Sequence, residues 1–171
     1  VGKYGAQQDR SGRCVHLIVD KPQLTLGGPG ISRQCNHDLD RLATDRIELK
    51  VDVDPGIGSF TGDERRVVQV LYNLLANAVG FSPQDATIGL SARRTEHSVV
   101  FTVTDSGPGI PPEEAERLKQ PFTRLETART GAASAGLGLA IVDRVARGHG
   151  GRFDLLSREG GGLIARVTLP A

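Results

Sequence analysis

Residues 63–83, DERRVVQVLYNLLANAVGFSP, contain the pattern that decides the fold. Asp63 can cap the N-terminus of a helix, and Phe81-Ser82-Pro83 is typical of a helix end. Between them apolar residues recur every three or four positions, which predicts an amphipathic helix with one face in the core. These apolar residues are Val67, Val70, Leu71, Leu74, Leu75 and Ala78.

The polar face of this helix carries two asparagines, Asn73 and Asn77, four residues apart. At that spacing they lie on one face together with Arg66 and Gln69. Asparagine is a poor interior helix former, and a solvated face could avoid its propensity cost with Glu, Lys or Gln. The pair suggests a helix face whose side-chain amides bind a ligand. The alternative is a helix face that is merely solvated.

Two strands follow the helix, at about 86–92 and 98–105, and the polar residues 93–97 between them predict a hairpin. Upstream of the helix, the apolar spacing over 31–42 predicts another helix, and alternation over 47–53 predicts a half-buried strand. The first 30 residues are glycine-rich and irregular. Two short apolar stretches in them, 14–19 and 24–26, fit strands.

Asp105 ends the second strand of the hairpin. The two-residue period of a strand places it on the same face as Val99, Phe101 and Val103. A carboxylate on a core face needs hydrogen-bond donors. The following turn, Ser106-Gly107-Pro108-Gly109, leaves a gap through which a flat ligand with an amino group, such as adenine, can reach it. The alternative is a turn residue that bonds to its own backbone.

The remaining third of the chain alternates loop, helix and strand. A short acidic helix start at 112–114 leads into a Thr-, Ala- and Gly-rich stretch up to 135, typical of a mobile loop. A last helix at about 137–149 is followed by strands at about 153–157 and 163–169, which flank a turn of three glycines. The elements predict a two-layer α/β sandwich, with a mixed sheet covered on one face by about three helices.

Gly136-Leu137-Gly138 opens the last helix. The free backbone N–H groups and the positive dipole end of a helix N-terminus can seat a phosphate. The chain contains no GxxxxGK[ST] sequence, which excludes a P-loop, and no GxGxxG in the context of a dinucleotide-binding fold. A phosphate bound here would therefore be held by another arrangement.

Composition restricts the function classes. The 21 basic residues nearly balance the 20 acidic ones, without the clustered basic stripe of a nucleic-acid-binding surface. No apolar run approaches the roughly 20 residues that span a bilayer, and the start of the chain lacks the features of a signal peptide. The two cysteines, Cys14 and Cys35, have no metal-ligand spacing and suit a reducing compartment. We expect a cytoplasmic domain without direct membrane contact. The absence of methionine, even at position 1, suggests a processed chain or a fragment of a longer one.

Four segments in a fixed order resemble the motifs of histidine kinases. QVLYNLLANAVGFSP (69–83) resembles the N box, DSGPGI (105–110) the G1 box, QPFTR (120–124) the F box and GLGLAIV (136–142) the G2 box. The resemblance runs from about Gly62 to Leu169 and is to osmosensor-type kinases of the Bergerat, or GHKL, ATP-binding fold. It implies an ATP-binding catalytic domain over residues 31–171 with a mobile ATP lid, preceded by an irregular segment, 1–30.

On the base side, the resemblance implies that Asp105 bonds the adenine amino group and that Phe81 packs on the adenine ring. Thr168, on the last strand, would reach the adenine side through water. The other residues that the resemblance places in this pocket are Gly107, Gly109 and Ile110.

On the phosphate side, the resemblance implies that Asn77 coordinates a Mg²⁺ ion that bridges the phosphates of ATP. Asn73 would support the phosphates or the metal. Since Mg²⁺ keeps several waters and takes few protein oxygens, a single amide ligand is chemically sensible. The phosphates themselves would lie under the lid on Gly136, Leu137 and Gly138.

The residue at position 73 bears on the choice among GHKL enzymes. Gyrase, MutL and heat-shock-type ATPases and anti-sigma serine kinases resemble one another in placing Glu there, where a carboxylate can deprotonate water or a hydroxyl. Asn73 cannot act as a base. Neutral imidazole already offers a lone pair near pH 7, so Asn73 favours a histidine acceptor, with an ATPase or protein-serine kinase as the alternative.

Gly80 departs from the family, which usually carries Lys or Arg there, facing the phosphates. Arg124 and Arg129, in the expected lid, could supply that charge when the lid closes. The candidate catalytic residues are therefore Asn73 and Arg124. A nucleotide-binding pseudokinase module with little phosphotransfer is the further alternative.

The phosphoacceptor histidine is expected outside this chain. Only His37-Asp38-Leu39 resembles the start of an H box, and the predicted strand at Ile47 leaves no room for the necessary two-helix hairpin. His97 falls in the hairpin connection and His149 at the end of the last helix, both structural positions. The expected partners are a dimerisation and phosphoacceptor domain and the receiver domain of a response regulator.

Overall fold

The computed structural model describes residues 14–20, 23–27, 47–55, 57–124 and 136–171. The predicted helix over 31–42 and residues 125–135 of the predicted lid lie outside these ranges. Eight strands are present in the described part: β1 (Cys14–Asp20), β2 (Gln23–Gly27), β3 (Ile47–Val53), β4 (Ser59–Thr61), β5 (Ala86–Arg94), β6 (Ser98–Thr104), β7 (Arg152–Ser157) and β8 (Leu163–Pro170). The helices are α1 (Glu64–Phe81), α2 (Ala115–Leu118), which continues a 3₁₀ turn at Pro112–Glu114, and α3 (Gly138–Gly148).

The helix predicted from the opening pattern is confirmed as α1. The Asp63 side chain accepts a hydrogen bond from the Arg66 backbone N–H at 3.3 Å, as an N-cap does. At the other end Ser82 adopts an extended backbone and donates its N–H to Ala78 O. The six apolar positions predicted to form the stripe are all buried.

The two main sheets differ in size. The larger has the strand order β3-β5-β6-β8-β7; β3 and β5 are parallel and the other neighbours antiparallel, so the mixed sheet is confirmed. The smaller has the order β2-β1-β4, and its three-residue strand β4 was not predicted. A strand this short has too little periodicity to stand out in a sequence. The strands predicted near the N-terminus are confirmed as β1 and β2.

One face of the larger sheet forms the core. Along β5, β6 and β8, buried residues alternate with half-buried ones, as expected for a sheet with only one covered face. The apolar face of α1 and buried residues of α3, including Val142 and Ala146, belong to the same core cluster as these strands. The structure therefore confirms the α/β sandwich, with the described helices on one side of the sheet.

We predict that Asp63→Ala lowers the free energy of unfolding by about 1 kcal/mol, because the Arg66 N–H at the start of α1 loses its acceptor. Asp63→Asn keeps a capping oxygen and should stay within about 0.5 kcal/mol of the parent chain. Urea unfolding of the three proteins measures this difference. Equal losses in both variants would show that the cap does not stabilise the helix.

Candidate functional site

Asp105 lies directly after β6, and its carboxylate is held by two backbone donors. Gly107 N–H donates to Oδ1 at 2.9 Å, and Leu163 N–H, at the start of β8, donates to the same oxygen at 3.0 Å. The residue is only 4% exposed and is the one buried charged residue in the described part of the chain. The predicted position on the core-facing side of β6 is therefore confirmed.

The second carboxylate oxygen of Asp105, Oδ2, receives no hydrogen bond from the described residues. It is also not sealed off, because the one fully enclosed side-chain oxygen without a partner in this part of the chain is Ser82 Oγ. Burial raises the pKa of the Asp105 carboxyl, against the lowering effect of the two backbone donors and of the positive charge of Arg158. The site thus contains a desolvated acceptor with one oxygen available to a donor from a ligand.

Glycines allow the backbone to close around this carboxylate. A Cβ atom at Gly107 would lie 2.9 Å from the carbonyl oxygen of Phe81, so the loop after β6 runs directly against the end of α1. Gly109 has φ +74° and would place a Cβ 3.0 Å from Gly162 O. The turn before β8 is thereby packed against the loop that holds Asp105. The role of this turn, and of the Leu163 backbone donor, was not predicted from the sequence.

Two apolar residues predicted for the base side, Phe81 and Ile110, adjoin or belong to the loop that follows Asp105. Phe81 ends α1, where its carbonyl meets Gly107, and its side chain is 39% exposed. Ile110 is half-buried against the core, and the Ser157 hydroxyl donates to its carbonyl oxygen. A flat ring above Asp105 would therefore have apolar side chains available on this side.

The asparagines of α1 are half-buried, and they differ in their contacts. Asn73 donates its side-chain NH₂ to Gln69 O at 2.9 Å, which leaves its Oδ1 free. A Cβ atom at Gly138 would lie 3.5 Å from this Oδ1, so the amide faces the first turn of α3. The Asn77 side chain has no hydrogen-bond partner among the described residues. The predicted amide face is therefore adjacent to the predicted phosphate seat.

The first turn of α3 adjoins the base of the predicted lid. Phe122 N–H donates to Gly136 O at 3.0 Å, which brings the two ends of the segment together. Gly136 has φ +69°, and a Cβ there would lie 2.9 Å from Thr123 O. Leu137 precedes the helix with no side-chain cap bond, so its N-terminal N–H groups are not closed by a capping side chain. Residues 125–135, including Arg129, lie outside the described residues.

Arg124, the candidate catalytic residue, is exposed at the end of the described part of the lid. Its carbonyl oxygen accepts a hydrogen bond from Arg117 Nη2 at 3.5 Å, and Arg117 also pairs with Glu114. These contacts tie the backbone of the F-box segment to the 3₁₀ turn. They leave the Arg124 guanidinium without a described partner.

The structure does not bring Thr168 to this group. Its backbone pairs with Val100 in β6 and with Arg152 in β7, whereas Asp105 contacts Leu163 at the opposite end of β8. Thr168 also alternates with the buried Val167 and Leu169, so its side chain is on the face of the sheet away from the helices. The described contacts therefore do not support the water-mediated contact with adenine predicted for Thr168. The residue of β8 at the site is Leu163.

Metal binding at this site would depend on few protein ligands. Within the described ranges there is no group of three or more His, Cys, Asp or Glu side chains that could hold a metal ion. An unpaired amide on α1 beside the predicted phosphate seat fits an ion held mainly by phosphate oxygens and water, as Mg²⁺ often is.

None of the helices in the described ranges has the length and apolar character needed to span a membrane.

We predict that Asp105→Asn leaves the free energy of unfolding at neutral pH unchanged or raised. The amide oxygen can still accept from Gly107 and Leu163, and the cost of burying a charge is removed. Because burial raises the pKa of Asp105, the parent chain loses stability as pH rises through that pKa, and the variant does not.

The parent should therefore recover stability relative to the variant as pH falls through the raised pKa. Denaturant unfolding of both proteins at neutral and mildly acidic pH measures this trend. A variant less stable at neutral pH, with the difference widening there, would contradict it.

Comparison with known proteins identifies the family. Residues 62–171 match the model of the histidine kinase-, DNA gyrase B-, and HSP90-like ATPase family. The sensor-like histidine kinase SenX3 of Mycobacterium tuberculosis is 38% identical over 133 residues, which are 77% of this chain and 32% of SenX3. The chain thus spans about a third of the length of this relative.

Two solved structures of histidine kinases share the fold. The mycobacterial sensor histidine kinase MprB superposes with a TM-score of 0.69 and 29% identity, over 80% of this chain and 91% of that one. Full-length ShkA in complex with AMPPNP gives a TM-score of 0.65 and 29% identity, over 81% of this chain and 28% of that one. The resemblance drawn from the four motifs is confirmed: the chain belongs to the histidine kinase-, DNA gyrase B-, and HSP90-like ATPase family, and the relatives it matches here are sensor histidine kinases.

Proposed function

We propose that this chain is the ATP-binding catalytic domain of a two-component sensor histidine kinase. It would hold Mg²⁺-ATP and transfer the γ-phosphate to a histidine on a dimerisation and phosphoacceptor domain, for relay to the receiver domain of a response regulator. One observation carries the proposal: α1 adjoins two complementary sites. Its C-terminal end packs on the loop that holds Asp105, a buried carboxylate with one free oxygen, and its amide face at Asn73 lies against the N-terminus of α3.

The adenine ring would bind at the Asp105 end. Its amino group is a donor, and Asp105 Oδ2 is an acceptor without a described protein partner, so the pair would satisfy both groups in a desolvated site. Gly107 and Gly109 let the neighbouring backbone pack closely around the carboxylate, where Oδ1 is bonded and Oδ2 is left for the ligand. Phe81 and Ile110 would cover the faces of the ring, where aromatic and apolar contacts are favourable.

The phosphates would bind between α1 and the first turn of α3. The N–H groups at Gly136, Leu137 and Gly138 and the helix dipole favour negative charge at this point. Asn73 Oδ1 faces Gly138, and Asn77 follows about one turn later on the same face of α1. Mg²⁺, when bound with ATP, would neutralise phosphate charge, with Asn77 as the protein ligand that we propose.

The acceptor is inferred from what the site lacks. Asn73 stands where a base would be needed to deprotonate a hydroxyl or water, and its amide cannot take a proton. A neutral imidazole needs only to be placed in line with the γ-phosphate, where transfer depends on positioning and charge. Arg124, with an unpaired guanidinium at the lid base, is the residue we propose to approach the γ-phosphate.

Two of the described histidines, His97 and His149, do not fit an acceptor role. His97 lies exposed in the connection between β5 and β6, where it is 3.8 Å from Glu96, and both ring nitrogens of His149 are engaged within the fold. We therefore place the acceptor on another domain of the full protein or on a partner chain. Since the chain covers about a third of SenX3, there is room for such a domain in a protein of that length.

One observation favours a second function, nucleotide binding with little phosphotransfer. Gly80 lies three residues after Asn77 and seven after Asn73, on the same face of α1. It is exposed, and a Cβ atom there would have no atom within 4 Å. The position where related kinases carry a cation toward the phosphates is thus open space in this chain.

We predict that the chain binds a non-hydrolysable ATP analogue more tightly with Mg²⁺ than without it. Asn77→Ala should remove this dependence, because the proposed protein ligand of the ion is lost. Asp105→Asn should weaken binding at least about tenfold, because its NH₂ can be presented to the adenine amino group in place of an acceptor. Titration calorimetry with and without Mg²⁺ gives the affinity of the parent chain and of both variants for the analogue.

Glu96→Gln is the matched control for Asp105→Asn, because it makes the same carboxyl-to-amide change at an exposed residue outside the site. It should bind like the parent chain. Absence of binding by the parent would sink the proposed function. Binding that is insensitive to Asp105→Asn would contradict the assignment of the base pocket.

We predict that Gly80→Lys tightens binding of the ATP analogue about fivefold or more, since an ammonium can reach the phosphates from the same face as Asn77. Gly80→Ala is the matched control: both variants should stabilise α1 by about 0.5–1 kcal/mol, but only Lys adds charge. Calorimetric affinities and thermal unfolding of both variants test this. Equal affinities for Lys and Ala would show that Gly80 does not face the phosphates.

A further inference from the structure

In the described part of the chain, the side chain of His149 joins the start of α1 to the end of α3, a contact that the proposed function does not use. Its Nε2 accepts a hydrogen bond from the backbone N–H of Asp63, the N-cap residue of α1, at 3.1 Å. Its Nδ1 lies 2.8 Å from Val145 O, one turn back in α3. A backbone N–H can only donate, so Nε2 is the acceptor and the proton is on Nδ1, which donates to Val145 O.

The imidazole is also fixed by packing. A Cβ atom at Gly62 would lie 3.5 Å from His149 Cδ2 and 3.4 Å from Phe60 Cε2, so the ring and Phe60 both adjoin the residue that precedes the cap. Phe60 is buried and contacts Phe101 of β6, with ring centroids 5.9 Å apart. The histidine side chain therefore joins α3 to the start of α1 at a point anchored in the core.

The two helices run antiparallel between two fixed contacts. At one end Asp63 meets His149; at the other Asn73 meets Gly138. Asp63 and Asn73 are ten residues apart along α1, about 15 Å at about 1.5 Å per residue. Gly138 and His149 are eleven residues apart along α3, about 16.5 Å at the same rise. The two lengths match, so the contact at the His149 end and the contact at the phosphate end hold in the same helix register.

A shift in this register would change the distance between Asn73 and the first turn of α3, where we propose that the phosphates bind. Helix pairs have discrete packing arrangements, and a slip of one turn displaces a residue by about 5.4 Å. Even a small displacement would move the N–H groups at Gly138 away from Asn73, whereas Asp105 is held separately by Gly107 and Leu163. Loss of the hydrogen bond between His149 and Asp63 should therefore weaken the binding of phosphates more than the binding of adenine.

Resting on the proposed function, we infer that His149 is a positioning residue: its bond to the Asp63 N–H sets the register of α3 on α1 and so places the phosphate seat opposite Asn73. It does not touch the nucleotide. It acts through α3, about 16.5 Å from the first turn.

A matched pair of variants separates the two bonds of the imidazole. His149→Gln can place an acceptor near the position of Nε2 and keep the bond from Asp63 N–H. His149→Asn can keep a donor near the position of Nδ1, toward Val145 O, but is too short to reach Asp63. The two amides are chemically alike, so a difference between them reports on the bond between the helices.

The measurement is the affinity of the 171-residue chain for an ATP analogue with Mg²⁺, and for adenosine, in the parent and both variants. We expect His149→Asn to weaken the ATP analogue about fivefold or more and adenosine less than about twofold, as loss of a positioning hydrogen bond would. His149→Gln should restore the parent's ratio of the two affinities to within about twofold. Thermal unfolding is recorded to confirm that each protein is folded at the titration temperature.

The outcomes are distinct. If both variants have a lowered Tm but keep the parent's ratio of affinities, His149 is only structural and the inference is wrong. If Asn and Gln change the ratio equally, the bond to Asp63 is not what matters, and the inference is again overturned. If the parent binds neither ligand, the proposed function fails first, which distinguishes the two failures.

Discussion

The apolar stripe of α1 against the large sheet is the constraint on which the rest of the structure depends. Fully burying one Leu, Ile or Val side chain contributes about 1.5–3 kcal/mol, and α1 buries six apolar residues in the shared core. Once that face is committed to the core, the helix has no freedom of rotation left. The opposite, half-buried face then lies beside the first turn of α3, where Asn73 Oδ1 faces Gly138.

Several features of the site lower the stability of the fold locally, and burial of the apolar core offsets them. Asp105 is a desolvated carboxyl with a raised pKa, and its two donors bond only one of its oxygens. Gly109 and Gly136 have left-handed backbones at close approaches where a side chain would collide with a carbonyl. These are features of a surface prepared for a ligand, since a chain selected for stability alone would have less reason to keep them.

The chemistry that such a site can perform is limited by its residues. It offers acceptors, amides, helix N–H groups and a lid-base arginine, and the residue that faces Gly138, Asn73, is an amide that cannot act as a general base. That set can hold a nucleotide and stabilise charge during transfer, but it leaves activation of the acceptor to the acceptor itself. The membership in a family whose matched relatives are sensor histidine kinases agrees with this division of labour.

Much of this was determined by the sequence, because its signals are local. The period of apolar residues and the Asp63 cap determined α1, the alternation in β6 determined which face Asp105 takes, and the glycines marked the turns. These depend on spacing within one element, where 3.6- and 2-residue periods are unambiguous. The four motifs in order were likewise enough to indicate the family.

Only the tertiary structure decided which elements meet. Thr168 belongs to the right strand but to its far end and other face, and Leu163 supplies the contact instead, because register between strands depends on pairing distant in sequence. The bond from Asp63 to His149 joins residues 86 positions apart. No local period encodes such a pair. It follows from the packing of two helices on one sheet, which brings the end of α3 beside the start of α1.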